Sequence, residues 1–340
     1  MRNSNIDTIS VVAMLAVICL YTAPYKESDP LIWEIINQAS GFAIPFFFIV
    51  AGYLFTKSHL AGIKLKELYT RYSLRMGVIF LAWSIIYFFN PRLTLISEYG
   101  FLNGFILSIK ERLVWMTQHP IDFVFQGPSP HLWFFVSLIL SITFLYLMLL
   151  IRKAGLIFLL AVPLYIFGLI AGAYSATPIG IDVGFNTRNG PFYSTLFVAI
   201  GWWLADRDFK PTLGLAYWTL ISGIALLVTE DFFLHHLGFV STTGYIGYNY
   251  LIGTVFFGTS FMLLALAQPE LGKYAPVATL GRFTLGIYVS HVLLVGPIDE
   301  LIQYVPDLIG QLIKPVMIYM TAFLLVIILA KNKFIRPIVT

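Results

Sequence analysis

Cysteine is almost missing from this sequence: Cys19 alone stands in 340 residues, inside an apolar run. A disulfide framework needs pairs and a thiolate metal cluster needs several cysteines, so both are excluded. Charge is scarce as well, since Asp, Glu, Lys and Arg together make up 11% of the chain. That is too little to clothe a water-soluble protein of this size. No repeat with a period of 20–50 residues is evident, and no Pro/Gly/Ser linker or low-complexity tract divides the chain. One domain over 1–340 is the organisation this predicts. No basic stripe is present either, so nucleic acid is not an expected partner.

What fills the sequence is apolar: 59% of the residues are hydrophobic. An integral membrane protein follows, and helices are the element expected, because a helix satisfies its own backbone hydrogen bonds in lipid. A span needs about 20 apolar residues. Ten stretches meet that need, at 7–24, 39–56, 74–90, 131–151, 155–174, 191–205, 212–229, 246–267, 281–298 and 312–330, the second and sixth being short. Pro45, Pro163 and Pro191 fall in or at the ends of spans, where a packed bundle can satisfy the freed backbone groups. The first stretch lacks a small-residue cleavage site and reads as a retained helix. Residues 97–118 carry Glu98, Lys110, Glu111 and Arg112 among Leu and aromatics, which predicts an interfacial amphipathic piece in place of an eleventh span. With the N-terminus inside, 15 of the 21 basic residues fall on the inner side. The positive-inside rule then places both termini in the cytoplasm.

Polar groups at membrane depth are the functional candidates. His131 opens the fourth span, and His291 sits inside the ninth, in "GIYVSHVLLV". A histidine at a span entrance also serves as a cap, and one inside a span also serves as an interhelical hydrogen-bond partner. Arg71 and Arg75, four residues apart, share one helical face at the mouth of the third span. Such a fork suits phosphate oxygens, although anionic lipid and topology select the same residues. Arg188 and Asn189 enter the sixth span from outside. His235 and His236 follow Glu230 and Asp231 in an expected outer loop, with Glu34, Asp122 and Asp182 on a solvated rim. Adjacent histidines project differently, and no metal-ligand spacing is complete.

Five stretches stand in a recognisable order: "QASGFAIPFFFIVAGYLFTK" (38–57), "RYSLRMGVIFLAWSIIYFF" (71–89), "HLWFFVSLIL" (131–140), "RNGPFYSTLFVAIGWWLA" (188–205) and "LGRFTLGIYVSHVLLV" (280–295). Across ten spans they resemble the acyltransferase-3 family of bacterial integral-membrane acyltransferases, in particular its small single-domain members that O-acetylate surface polysaccharides. The resemblance implies transfer of an acyl group, usually acetyl, from cytosolic acyl-CoA to a hydroxyl of a surface glycan or its lipid-linked precursor. It implies a multi-pass protein of the inner membrane that holds neither a resident cofactor nor a metal. Arg71 and Arg75 would meet the phosphates of CoA, and Arg188 with Asn189 the acceptor.

The family signature in the first span is an Asp, an Arg three positions on, and a His eleven positions after the Arg. Here Asp7 keeps the first, but Ser10 and Tyr21 stand at the other two positions, and Gly41 replaces the Arg that commonly opens the second-span motif. Eleven residues advance a helix by about 16 Å and return to nearly the same face, so residues 10 and 21 mark two depths of one stripe. A histidine titrates near working pH and serves as a base; an unperturbed phenol titrates at about 10. Tyr21 can orient a substrate or belong to an interfacial belt with Tyr25, and His131 is the expected replacement base. A catalytically inactive relative that moves a glycan or lipid carrier, or positions another enzyme, is the alternative. An unrelated secondary transporter would show broken helices in pairs or an internal repeat, and neither is seen.

Overall fold

A computed structural model describes residues 3–26, 28–239, 251–273 and 280–339. Among them every regular element is helical: α1 (Ser4–Thr22), α2 (Pro30–Ser40), α3 (Ala43–Leu60), α4 (Leu65–Phe89), α5 (Leu93–Tyr99), α6 (Phe101–Gln118), α7 (Pro120–Gln126), α8 (Trp133–Leu150), α9 (Ile157–Ile170), α10 (Pro191–Asp206), α11 (Leu213–His236), α12 (Ile252–Ala267), α13 (Thr284–Ile302) and α14 (Asp307–Ala330). One-turn segments at Pro130–Leu132 and Gly281–Phe283 lead into α8 and α13.

Among the described residues, seven helical stretches are long and apolar enough to cross a membrane: Ser4–Thr22, Leu31–Leu60, Leu65–Tyr99, Pro130–Leu150, Leu213–His236, Gly281–Ile302 and Asp307–Ala330. Three of the ten expected spans fall on shorter helices: α9 with 14 residues, α10 with 16 and α12 with 16. Sixteen residues rise only about 24 Å, against roughly 30 Å of hydrocarbon. Helix α10 compensates by burying Phe197, Val198 and Ala199 among its neighbours. The start of the expected span 246–267 lies outside the described residues. The second expected span, 39–56, falls on α3, with α2 leading into it across Gly41 and Phe42.

Helix α4 shows how the apolar sequence is partitioned. Leu74, Val78, Leu81 and Ile85 form an exposed stripe, whereas Met76, Ile79, Trp83 and Tyr87 are buried. In water such a stripe would be a liability; against lipid it is the expected outer face. The segment expected at the interface, 97–118, folds as the end of α5 and the whole of α6. Only Gly104 and Ser108 of α6 are buried. A Cβ at Gly104 would stand 2.5 Å from the Leu95 carbonyl, so glycine is what lets α6 fold back on α5.

Backbones meet where glycines allow it. A Cβ on Gly52 of α3 would lie 2.3 Å from the Val198 carbonyl oxygen of α10, and one on Gly201 would lie 2.0 Å from that of Ile49. Gly223 and Gly253 join α11 to α12 in the same way. Without a hydrophobic force between helices in lipid, this close approach is what gives dispersion its grip.

Glu230 ties α11 to the start of α12. Its two carboxylate oxygens accept from the backbone of Ile252 (3.0 Å) and Gly253 (2.7 Å), and the Tyr174 hydroxyl donates to it. An anion at a helix N-terminus satisfies orphan donors and opposes the positive dipole end. Glu230→Ala is expected to cost roughly 0.5–2 kcal/mol, the range for losing a helix cap, read as earlier thermal unfolding of the detergent-solubilised protein.

Candidate functional site

Three helices and the turn before α8 bring aromatic and imidazole rings to one place. Tyr21 lies in the last turn of α1, His131 in the turn before α8, Tyr87 near the end of α4, and Tyr288 and His291 on α13. The His131 and His291 ring centres are 5.3 Å apart, and Tyr21 lies 6.0 Å from the first and 5.4 Å from the second. Tyr87 packs edge-on against His131 at 4.8 Å. Both histidines are fully buried.

Hydrogen bonds hold the frame. The Tyr87 hydroxyl donates to the Val289 carbonyl at 2.8 Å, and the Tyr288 hydroxyl donates to the His131 carbonyl. His291 Nδ1 lies 2.6 Å from the Tyr288 carbonyl oxygen. A carbonyl only accepts, so Nδ1 carries the hydrogen and Nε2 presents a lone pair. His131 Nδ1 faces the Ser129 hydroxyl at 3.0 Å, a partner able to donate or accept.

The site stands out by what its polar atoms lack. Nε2 of His131, Nε2 of His291, Nε1 of Trp133, Nε of Arg188 and Oδ1 of Asn189 are all buried without a hydrogen-bond partner among the described residues. Each such atom costs about 1–3 kcal/mol, and a concentration of them in one region marks a place prepared for a ligand. The Arg188 guanidinium sits over the Trp133 ring at 4.9 Å and within electrostatic reach of Tyr21, Tyr193 and Tyr288. Asn189 is anchored through Nδ2 to Gln126 Oε1 at 3.3 Å. Gly190 donates to Ser137 Oγ at 2.8 Å, which fixes the start of α10 against α8.

Of the residues singled out in the sequence, Tyr21, His131, His291 and Arg188 come together, with Asn189 beside them. Ser10 does not join: its hydroxyl donates to the Ile6 carbonyl at 2.7 Å within α1. Asp7 remains at the far end of α1, where its carbonyl oxygen would stand 2.4 Å from a Cβ on Gly281. Arg71 and Arg75 lie on an exposed face of α4, and Arg71 pairs with Glu67. Lys64, Lys66, Glu67, Thr70 and Arg71 line an open depression of about 370 Å³. Sixteen residues separate Arg71 from Tyr87, about 24 Å along the helix, so the basic depression and the histidine pair occupy opposite ends of α4.

The expected outer loop with His235 and His236 is instead the last turn of α11, because the helix runs on to His236. His235 Nδ1 lies 3.5 Å from Asp231 Oδ1 and 4.0 Å from Glu34 Oε1. Glu34 is therefore drawn off the solvated rim into a three-residue cluster, while His236 diverges and stacks on Phe232. Asp182 accepts from Gly184 at 2.9 Å and Asp122 from Asn186 at 3.4 Å, so both organise the loop before α10. Sequence reasoning missed Tyr87, Ser129 and Tyr288. Tyr288 had a signal, since three residues before His291 is the same face of a helix; Tyr87 and Ser129 had none.

A family model described as an acyltransferase domain matches residues 3–330. The chain belongs to the acyltransferase-3 family. Within this acyltransferase-3 chain, Tyr21 packs against two histidines from other parts of the fold. Curated relatives include an "amino-acid racemase" of Enterococcus faecalis, 24% identical over 98% of this chain and 46% of that protein. A "serine/alanine racemase" of Enterococcus gallinarum is 27% identical over 99% of this chain and 47% of that protein. The chain thus spans about half the length of the curated relatives it matches. No solved structure matches it.

Proposed function

We propose that this acyltransferase-3 protein moves an acyl group, acetyl in the first instance, from cytosolic acyl-CoA to a hydroxyl of a surface glycan or its lipid-linked precursor. It does so from the bacterial cytoplasmic membrane with both termini inside. The observation that carries the reading is the pair of buried histidines with unpartnered Nε2 atoms beside Arg188. Acyl transfer needs a group that takes the proton of the attacking hydroxyl and donors that meet the developing oxyanion. An imidazole supplies the first, and the imidazole, guanidinium and indole N–H groups assembled here supply the second. Tyr21 orients the acceptor, and Arg188 with Asn189 holds it.

The donor enters from the other end of α4. Phosphates of CoA are matched by Lys64, Lys66 and Arg71 around the open depression, with Arg75 one turn further along, and the acyl end of the donor then reaches toward the other end of α4, where the histidines lie. Converting Lys64, Lys66 and Arg71 together to Ala is expected to raise KM for acetyl-CoA about tenfold, the equivalent of 1.4 kcal/mol. The steady-state kcat should stay near the wild-type value, because these groups bind the donor equally in ground and transition states.

Mass spectrometry of surface glycans from cells lacking the protein, and from cells in which it is restored, tests the activity. Loss and return of an acetyl-sized mass is the expected result. A second reading, an inactive relative that moves a glycan or lipid carrier or assists another enzyme, draws on Ser10 and Tyr21 at the family positions and on relatives named racemases. It predicts glycans of unchanged acylation and unmodified glycan accumulating inside the deletion strain.

A further inference from the structure

The two histidines are not equivalent, and the difference assigns their roles. We infer that His291 of α13 is the general base of the transfer and that His131 is the hydrogen-bond donor facing it. The inference rests on the acyltransferase reading above and divides the chemistry of its site.

His291 has one tautomer available. Its Nδ1 faces the Tyr288 carbonyl at 2.6 Å, a bond inside its own helix that keeps hydrogen on Nδ1 whatever substrate is bound. The Nε2 lone pair therefore points away from the helix, and no hydrogen-bond partner among the described residues meets it. An orienting acceptor on one ring nitrogen and a bare lone pair on the other is how a protein sets an imidazole to accept a proton. His131 is held differently. Its Nδ1 meets the Ser129 hydroxyl at 3.0 Å, an oxygen free to donate. With Ser129 donating, hydrogen sits on His131 Nε2, which then offers an N–H where His291 offers a lone pair. At 5.3 Å between ring centres, the two rings serve one substrate atom pair. Two imidazolium ions this close would repel strongly in a water-poor site, so only one ring takes the proton.

The step balances without any further reagent. The acceptor hydroxyl oxygen bonds to the thioester carbonyl carbon as its proton passes to His291 Nε2. The carbonyl oxygen, now anionic, accepts from His131 Nε2–H and faces Arg188. Collapse breaks the carbon–sulfur bond, the CoA sulfur takes the proton back from His291, and ester and free thiol leave.

Two amide substitutions separate the roles. Asn in place of His291 keeps a donor near the Nδ1 position for the Tyr288 carbonyl but has no basic nitrogen; Gln in place of His131 keeps an N–H near the Nε2 position. Transfer from radiolabelled acetyl-CoA into membranes of a deletion strain is measured with each purified variant in proteoliposomes. His291→Asn is expected to lower kcat by about 10²–10⁴-fold, the usual worth of a general base, with KM for acetyl-CoA unchanged. His131→Gln is expected to lower kcat less than His291→Asn does, and to retain the acid limb of the wild-type pH–rate profile, because the base is still present. That second readout uses a variant in which His291 is intact, so it stands even if His291→Asn fails to fold. The opposite ranking, or loss of the acid limb in His131→Gln, would make His131 the base and overturn the inference while leaving the acyltransferase reading in place. Absence of any transfer by the wild-type protein would remove both.

Discussion

The double variant His131→Gln/His291→Asn is expected to transfer acyl groups about 10²–10⁴-fold more slowly than the wild type, and no more slowly than His291→Asn alone. Residues that act as one unit lose their effect together: once the base is gone, the remaining donor has no developing charge of full size to meet. Independent sites would give multiplied losses instead. The structure favours the first outcome because both rings sit in one cage, closed by Tyr21, Tyr87 and Tyr288 at centroid separations of 4.8–6.0 Å. The same kinetic assay on the two single variants and the double variant completes the cycle.

Folding makes the second large prediction. Gly201→Val is expected to abolish accumulation of folded protein, and Gly201→Ala to cost roughly 1–3 kcal/mol, the range for overpacking a core. Any Cβ at this position meets the Ile49 carbonyl oxygen at 2.0 Å and the Tyr53 nitrogen at 2.8 Å, both backbone atoms that cannot swing aside. Relief requires α3 and α10 to separate, which would also open the contact at Gly52. Gly77 on α4, where a Cβ would meet no described atom within 4 Å, is the control that should tolerate Ala. Size-exclusion profiles and thermal unfolding in detergent distinguish these outcomes.

The helical fold was legible because lipid leaves so few choices: apolar runs of membrane length must become helices. Their number was less legible. Residues 191–205 and 246–267 carry the composition of spans, yet α10 and α12 each form only 16 residues of helix. Composition registers apolar surroundings without saying whether lipid or protein supplies them. At the site, His131, His291 and Arg188 could be named because polar groups at membrane depth are expensive. Their meeting could not, since Tyr21 and His291 lie 270 positions apart and only the packing of α1 beside α13 brings them together. Ser10 enters through its place in the family signature, whereas its hydroxyl is spent on its own helix. His235 and His236 read as loop residues because the charged residues ahead of them hide the continuation of α11.

The most direct test of the account follows radiolabel from acetyl-CoA in proteoliposomes supplied with membranes of a deletion strain. Wild-type protein should place label on a glycan or lipid-linked glycan, and the His131→Gln/His291→Asn protein, folded by its thermal transition, should do so about 10²–10⁴-fold more slowly. Equal labelling by the two proteins would contradict a histidine-pair site, and no labelling by either would contradict acyl transfer itself.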